Sequence, residues 1–199
     1  MKNLTYVFIL SGFFSFAQSL THPHIWTSPS ERNDVLNKIN SDTTLKWSGK
    51  LYNDLHNAID NLVSTHKTSP QNYLVQLPDL NKNDNSRNDH SDALYNAVQA
   101  GILFFLDEDD DYAQFAADIL SYYTPKIAEQ ADDLHFSKTG HWIESRDLYP
   151  KVGMIYDFIQ PFLKNEENTV YDVHSGTRRL FDLDTAELAF RRLADEVFN

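Results

Sequence analysis

The sequence predicts a mainly α protein built from antiparallel helical hairpins, on three observations. Apolar residues recur at three- and four-residue intervals in several stretches, among them Leu51, Leu55, Ile59 and Leu62, and later Leu94, Ala97, Val98, Gly101 and Phe105. Helix-start signatures precede two others, Ser28-Pro29 with Glu31, and Asp184 with Glu187. The 199 residues, 41% hydrophobic with 6 Gly and 7 Pro, suffice for one compact domain and not for two full-sized ones. No fixed repeat period marks a named helical array, and an α/α toroid and an ordinary bundle satisfy the pattern equally.

The elements follow in chain order. Lys2, the apolar run Leu4 to Phe16 and the small residues Ser15, Ala17 and Ser19 have the order of a secretory signal peptide over residues 1–19, cut after Ala17 or Ser19. This predicts a secreted or periplasmic protein whose helical domain occupies residues 20–199. The apolar run is short for a membrane anchor and contains Ser11, Gly12 and Ser15, and no later stretch reads as a membrane span. An irregular segment, Thr21 to Trp26, opens the mature chain, with Trp26 pinning it to the body. The first helix runs from the Ser28 cap to about Asn40, and the second from about Thr44 to Thr65.

From Ser69 to His90 the chain is polar and broken by Pro70 and Pro78, which reads as a long surface connection with a short extended piece at Tyr73 to Leu77. Helical spacing resumes with Leu94. The acidic turn Asp107 to Asp111 then leads into a helix bearing Tyr112, Phe115, Ala116, Ile119, Leu120 and Tyr123. Two helices so joined are antiparallel neighbours, and the second continues, kinked by Pro125, to about Ala131. A polar connection, Asp132 to His141, leads to Trp142 and to a helix from Asp147 to Phe162 that places Pro150 near its start. Asp184 caps the final helix.

Composition excludes several classes of function. With 17 Lys and Arg against 29 Asp and Glu the net charge is -12, and losing Lys2 with the signal leaves 16 against 29, or -13, so nucleic acid is not a partner. An acidic ligand then requires a local basic surface. Absence of Cys removes disulfides, thiolate nucleophiles and Cys-based zinc sites. There is no glycine-rich phosphate loop, no Gly-x-Ser-x-Gly elbow and no nucleotide-binding fingerprint.

The densest mixed set of functional groups runs from His135 to Tyr149. There Trp142 suits stacking on a sugar, Arg146 suits a uronic carboxylate or sulfate, and His141 or Tyr149 suits hydrogen bonding or proton transfer. Elimination beside a uronic carboxylate needs this combination, because enolate charge builds as the proton leaves. The competing reading is a capping loop with Trp142 packed over a hairpin. Asp107 to Asp118 has the length of a calcium loop, but Tyr112 stands where the loop needs Gly and Asp118 replaces its terminal Glu, so the acidic turn is read as a helix start and no cofactor is expected, with calcium the alternative. His22 and His24 could pair on a metal, but no nearby Asp, Glu or His supplies a third ligand in sequence, and His56 and His66 lack the His-Glu-x-x-His arrangement of a metalloprotease. Arg178-Arg179 and Arg191-Arg192 are read as ion-pairing faces, with anion binding the alternative.

Several stretches resemble the N-terminal helical portion of the heparinase II/III-like and alginate-lyase-like polysaccharide lyases. These are His22-Pro-His-Ile-Trp-Thr-Ser-Pro-Ser-Glu31, the helix–turn–helix phrase from Leu103 to Leu120, Trp142, and Gly153-Met-Ile-Tyr-Asp157. The resemblance implies an incomplete α/α toroid and depolymerisation of an acidic polysaccharide by β-elimination. It also implies a β-sheet region beyond the toroid and an Asn-His pair with a Tyr acid or base. No Asn-His pair occurs in this sequence, so His141, Trp142, Arg146 and Tyr149 are candidates for substrate binding on their own chemistry and are not mapped onto the family's catalytic set. The expected function is that of a secreted lyase, or the N-terminal part of one, acting on a uronic-acid polymer such as ulvan or alginate. The alternative is a noncatalytic helical glycan-binding or scaffold module.

Overall fold

The computed structural model describes residues 21–41, 47–130 and 133–198; the signal peptide assigned to residues 1–19 lies outside them. A 3-10 turn, Pro29–Glu31, leads into α1, Arg32–Ser41. The predicted start is in place: the Glu31 carboxylate accepts from the Ser28 backbone N–H at 2.8 Å and from its hydroxyl at 3.0 Å. There follow α2, Trp47–Thr68; α3, Pro70–Leu74; α4, Arg87–Asp107; α5, Asp110–Glu129; and α6, His141–Leu163. A two-stranded antiparallel hairpin, β1 Val170–Asp172 with β2 Thr177–Arg179, pairs Val170 with Arg179 and Asp172 with Thr177. The final helix, α7, is Leu183–Phe198.

Helix α5 is the centre of the molecule, with α2, α3, α4, α6, α7 and β1 all packed on it. Its sequence explains why: Ala113, Ala116 and Ala117 let neighbours approach, while Phe115, Ile119, Leu120, Tyr123 and Ile127 fill the space between them. The mainly α, hairpin-built architecture predicted from periodicity is therefore the observed one. The α4–α5 turn is held at both ends. Glu108 takes the left-handed conformation at φ 57°, and the Asp109 side chain accepts from the Asp111 N–H at 2.9 Å. From α1, Arg32 donates to the last-turn carbonyls of α4, Phe105 at 2.8 Å and Leu106 at 2.6 Å.

Four expectations are corrected, and one element that the sequence did not reveal is added. The piece at Tyr73 to Leu77 is not extended: Pro70 opens the helix α3, whose Leu74 is fully buried in the core. The connection ends at Arg87, where α4 begins, rather than at His90, and His90 is buried against the Tyr123 hydroxyl at 3.0 Å. Helix α6 begins at His141 rather than Asp147, so Pro150 falls inside it and deprives the Arg146 carbonyl of a donor; tertiary anchoring of its first turn outweighs that loss. The residues around 170–179 form a hairpin. Finally, α7 is capped by Asp182, which accepts from the Thr185 N–H at 2.9 Å and hydroxyl at 2.8 Å, two residues before the predicted Asp184.

The α4–α6 contact closes on Gly101. A Cβ built there would meet Phe158 Cβ at 2.9 Å, closer than packed carbons approach, whereas one at Gly153 of α6 meets nothing within 4 Å. Gly101→Ala is therefore expected to destabilise the fold by about 1–3 kcal/mol. Gly153→Ala is expected to be neutral or stabilising by about 0.5–1 kcal/mol through its helix propensity. Urea denaturation of the two variants checks the contrast, and equal midpoints would show slack between α4 and α6.

Candidate functional site

The start of α6 carries the residues singled out from sequence. Gly140, at φ 82°, turns the chain into the helix, and Trp142 then projects with 68% of its surface exposed. Arg146 follows one helical turn later and is also exposed, its guanidinium 5.0 Å from the centre of the Trp142 ring. The two form a cation–π ledge, with the guanidinium lying over one face of the flat apolar ring. His141 is the first residue of the helix. Tyr149 stands apart: it is buried, its hydroxyl donates to the Leu134 carbonyl at 3.1 Å, and burial pushes its pKa up. Protonated and engaged, it is a packing residue between α6 and the segment 133–140 and offers no base at neutral pH.

The ledge rests on Glu144, which lies within the stretch from His135 to Tyr149 and has no role predicted from sequence. Its carboxylate is fully buried and accepts from the backbone N–H groups of Phe136 at 2.9 Å and Ser137 at 2.8 Å, and from the hydroxyls of Ser137 at 2.9 Å and Thr139 at 3.2 Å. The connection is thereby folded back on the helix it precedes. It is tied as well to the earlier polar segment, since the Asn81 N–H donates to the Phe136 carbonyl at 3.1 Å and the Lys138 N–H to the Asp84 carbonyl at 3.0 Å. Beside Arg146, Asp147 binds Lys151 on its own helix and Arg87 on α4. Burial pushes the Asp147 carboxyl up, but the two cations outweigh it and hold the pKa below the usual range.

Two further polar clusters are structural. Tyr52 donates to Asp107 at 2.6 Å, Tyr112 donates to Asp60 at 2.8 Å, and His56 lies between them at 3.1 Å from Asp107 and 3.2 Å from Asp60. This clasp closes α2 on the α4–α5 turn. Burial and the Asp107 contact push the Tyr52 hydroxyl up to about 12, so it acts only as a donor. The second cluster contains the residue considered as the end of a calcium loop. Asp118 points inward, fully buried, with His66 Nε2 at 2.9 Å, the Gln114 amide and Tyr171 N–H each at 2.8 Å, and Arg178 at 3.4 Å. His22 and His24 also serve structure. Asp157 accepts from the backbone of His24 and Ile25, each at 2.8 Å, and lies 2.6 Å from His22 Nδ1. Asp157 therefore pins the opening segment more directly than Trp26, which is 65% exposed and meets Phe158 only edge-on at 6.5 Å. Among the described residues, no helix is long and apolar enough to cross a membrane.

One place with mixed chemistry escaped sequence reading, a cleft of about 390 Å³ between the second half of α5 and the hairpin, lined by residues that include Lys126, Asp172, His174 and Arg179. Only the Arg178-Arg179 pair hinted at it. Its lining comes from three separate parts of the chain, so no local spacing could reveal it.

Compared with known proteins, the chain is 32% identical over 179 residues to the endo-acting ulvan lyase of Formosa agariphila. The match takes in 86% of this chain and 21% of that protein, so the chain spans about a fifth of the length of the curated relative it matches. No family model matches the chain. No solved structure matches it.

Proposed function

We propose that this chain is the helical portion of a polysaccharide lyase acting on an acidic, uronic-acid polymer, with ulvan the first substrate to test and alginate the second. The observation that carries the reading is the 32% identity to an endo-acting ulvan lyase along 86% of the chain. The ledge at the start of α6 agrees with it: Trp142 supplies a stacking face for a sugar ring, and Arg146 a cation for a uronic carboxylate or sulfate ester. The chemistry is β-elimination, in which the proton beside the uronic carboxylate is removed and the glycosidic oxygen leaves. The domain of residues 20–199 contributes helices to an α/α toroid and, after removal of residues 1–19, works outside the cytoplasm. The match that supports the reading is to an ulvan lyase rather than to a heparinase II/III-like or alginate-lyase-like protein.

A second reading, a noncatalytic glycan-binding module, is favoured by the engagement of the polar groups around the ledge. The Tyr149 hydroxyl and the Glu144 carboxylate are both committed to the protein, which makes Trp142 and Arg146 a binding pair rather than an acid–base pair. Incubation of the purified chain with ulvan, alginate and glycosaminoglycans, followed by ultraviolet absorbance of the unsaturated product, separates the two readings. In parallel, Trp142→Ala is expected to weaken binding of ulvan oligosaccharides about tenfold, or about 1.4 kcal/mol, with the thermal midpoint unchanged. Product formation supports the lyase, and binding without product the module. Neither binding nor product from any polymer would overturn both.

A further inference from the structure

The cleft between α5 and the hairpin differs in character from the ledge. Its wall on α5 carries Tyr122, Lys126 and Glu129, and its opposite wall carries Asp172, His174 and Arg179. At about 390 Å³ it falls within the usual range of small-ligand sites, about 300–1,000 Å³. The aromatic wall is fixed. The Tyr122 hydroxyl donates to the carbonyls of Leu77 at 3.0 Å and Pro78 at 3.3 Å, and Lys126 lies over the ring, 4.6 Å from its centre, while binding Asp79 at 2.7 Å.

The opposite wall is built on an ion pair. Arg179 Nε lies 3.3 Å from the Asp172 carboxylate, and Nη1 lies 4.0 Å from that of Asp182. A guanidinium carries five N–H donors, more than these two pairs occupy. Asp172 is ionised: burial pushes its carboxyl up, but the N–H groups of His174 and Ser175 and the charge of Arg179 together hold it below the usual range. It accepts from the His174 N–H at 2.9 Å.

Charge balance decides the ligand class. Two cations, Lys126 and Arg179, face two carboxylates, Glu129 and Asp172, within a chain whose net charge is -12. An anion entering there would gain from the cations and lose to the carboxylates. A ligand bearing adjacent hydroxyls satisfies both, each hydroxyl donating to a carboxylate and accepting from an arginine or lysine N–H, with its apolar face against an aromatic or aliphatic wall.

We propose that this cleft is a subsite for a neutral pyranose unit of a glycan, held through vicinal hydroxyls by Arg179, Asp172 and Lys126. The proposal rests on the glycan reading above and adds a second contact point, separate from the Trp142–Arg146 ledge, that reads an uncharged sugar. A polymer that alternates uronic and neutral units would engage both.

The test is NMR titration of the whole chain, following backbone amides at two places, residues 122–126 with 171–176 for the cleft and residues 142–146 for the ledge. Probes are the methyl glycosides of D-xylose, D-glucose and L-rhamnose, sodium glucuronate, inorganic sulfate and ulvan oligosaccharides. Neutral glycosides are expected to shift the cleft amides saturably, with at least a tenfold weaker response in Arg179→Met at unchanged thermal midpoint. Lys126→Gln, on the stable helix α5, provides a second variant should Arg179→Met disturb the hairpin. Cleft shifts from glucuronate or sulfate alone would overturn the proposal in favour of an anion site, and no cleft shift from any probe would overturn it outright. Ledge shifts from oligosaccharides with a silent cleft would sink the subsite and leave the glycan reading standing, whereas silence at both places would remove both.

Discussion

Asp118→Ala is expected to destabilise the protein by about 3–5 kcal/mol, the range for removing one partner of a buried ionic network. The carboxylate is fully buried in the middle of α5 and joins three layers: His66 from α2, the Tyr171 N–H from β1, and Arg178 from β2, with Gln114 one turn earlier on its own helix. Removing it strands the His66 ring, which is buried edge-on to Tyr73 and Phe115, and leaves the Tyr171 N–H without an acceptor. The hairpin depends on this contact more than on its own ladder, since strands of three residues each cannot hold themselves in water. Urea denaturation measures the overall loss, and hydrogen exchange at residues 170–179 should show the hairpin losing protection first. A loss below about 1 kcal/mol would show that the network is not what joins these layers. Asp118→Asn, which keeps one acceptor oxygen but no charge, is expected to fall between the two.

The same network shows where sequence reading stops. Helices α2, α4 and α5 were legible because one apolar face at helical spacing suffices to predict them, and Ile59, Val63, Leu94, Ala97 and Phe115 are all buried. The start at Ser28 was legible because a capping box is local. Asp118 and His66 were not, because each pattern is individually neutral and the pairing appears only when α2 is laid on α5. The hairpin was invisible for a related reason: Val170 to Asp172 and Thr177 to Arg179 are too short for an alternating pattern, and a carboxylate from elsewhere holds them. The start of α6 was misread because Pro150 carries a strong local signal, which long-range anchoring overrode. At the candidate site, Trp142 and Arg146 were legible as chemistry; their arrangement as a stacked pair required the helix to begin at His141.

That anchoring leads to the second large effect. Glu144→Ala is expected to destabilise the protein by about 3 kcal/mol, because it leaves the Phe136 and Ser137 N–H groups and two hydroxyls without their acceptor in a buried place. Four donors converge on one carboxylate, and it holds the chain against the first turn of α6. With Pro150 interrupting the helix ladder from the other side, residues 141–149 have little local support once the carboxylate is gone. The variant should therefore lose hydrogen-exchange protection from His141 to Tyr149 while α4 and α5 keep theirs. Glycan binding should fall at least as far as in Trp142→Ala, although Glu144 itself is buried beneath the ledge and has no surface for a sugar. Glu144→Gln preserves the shape and one acceptor but turns its amide towards groups that are themselves donors, so it should recover only part of the loss. Unchanged binding in a destabilised Glu144→Ala protein would show that the ledge holds its geometry without this anchor. Lost binding together with local loss of protection would place the recognition surface under the control of the buried carboxylate.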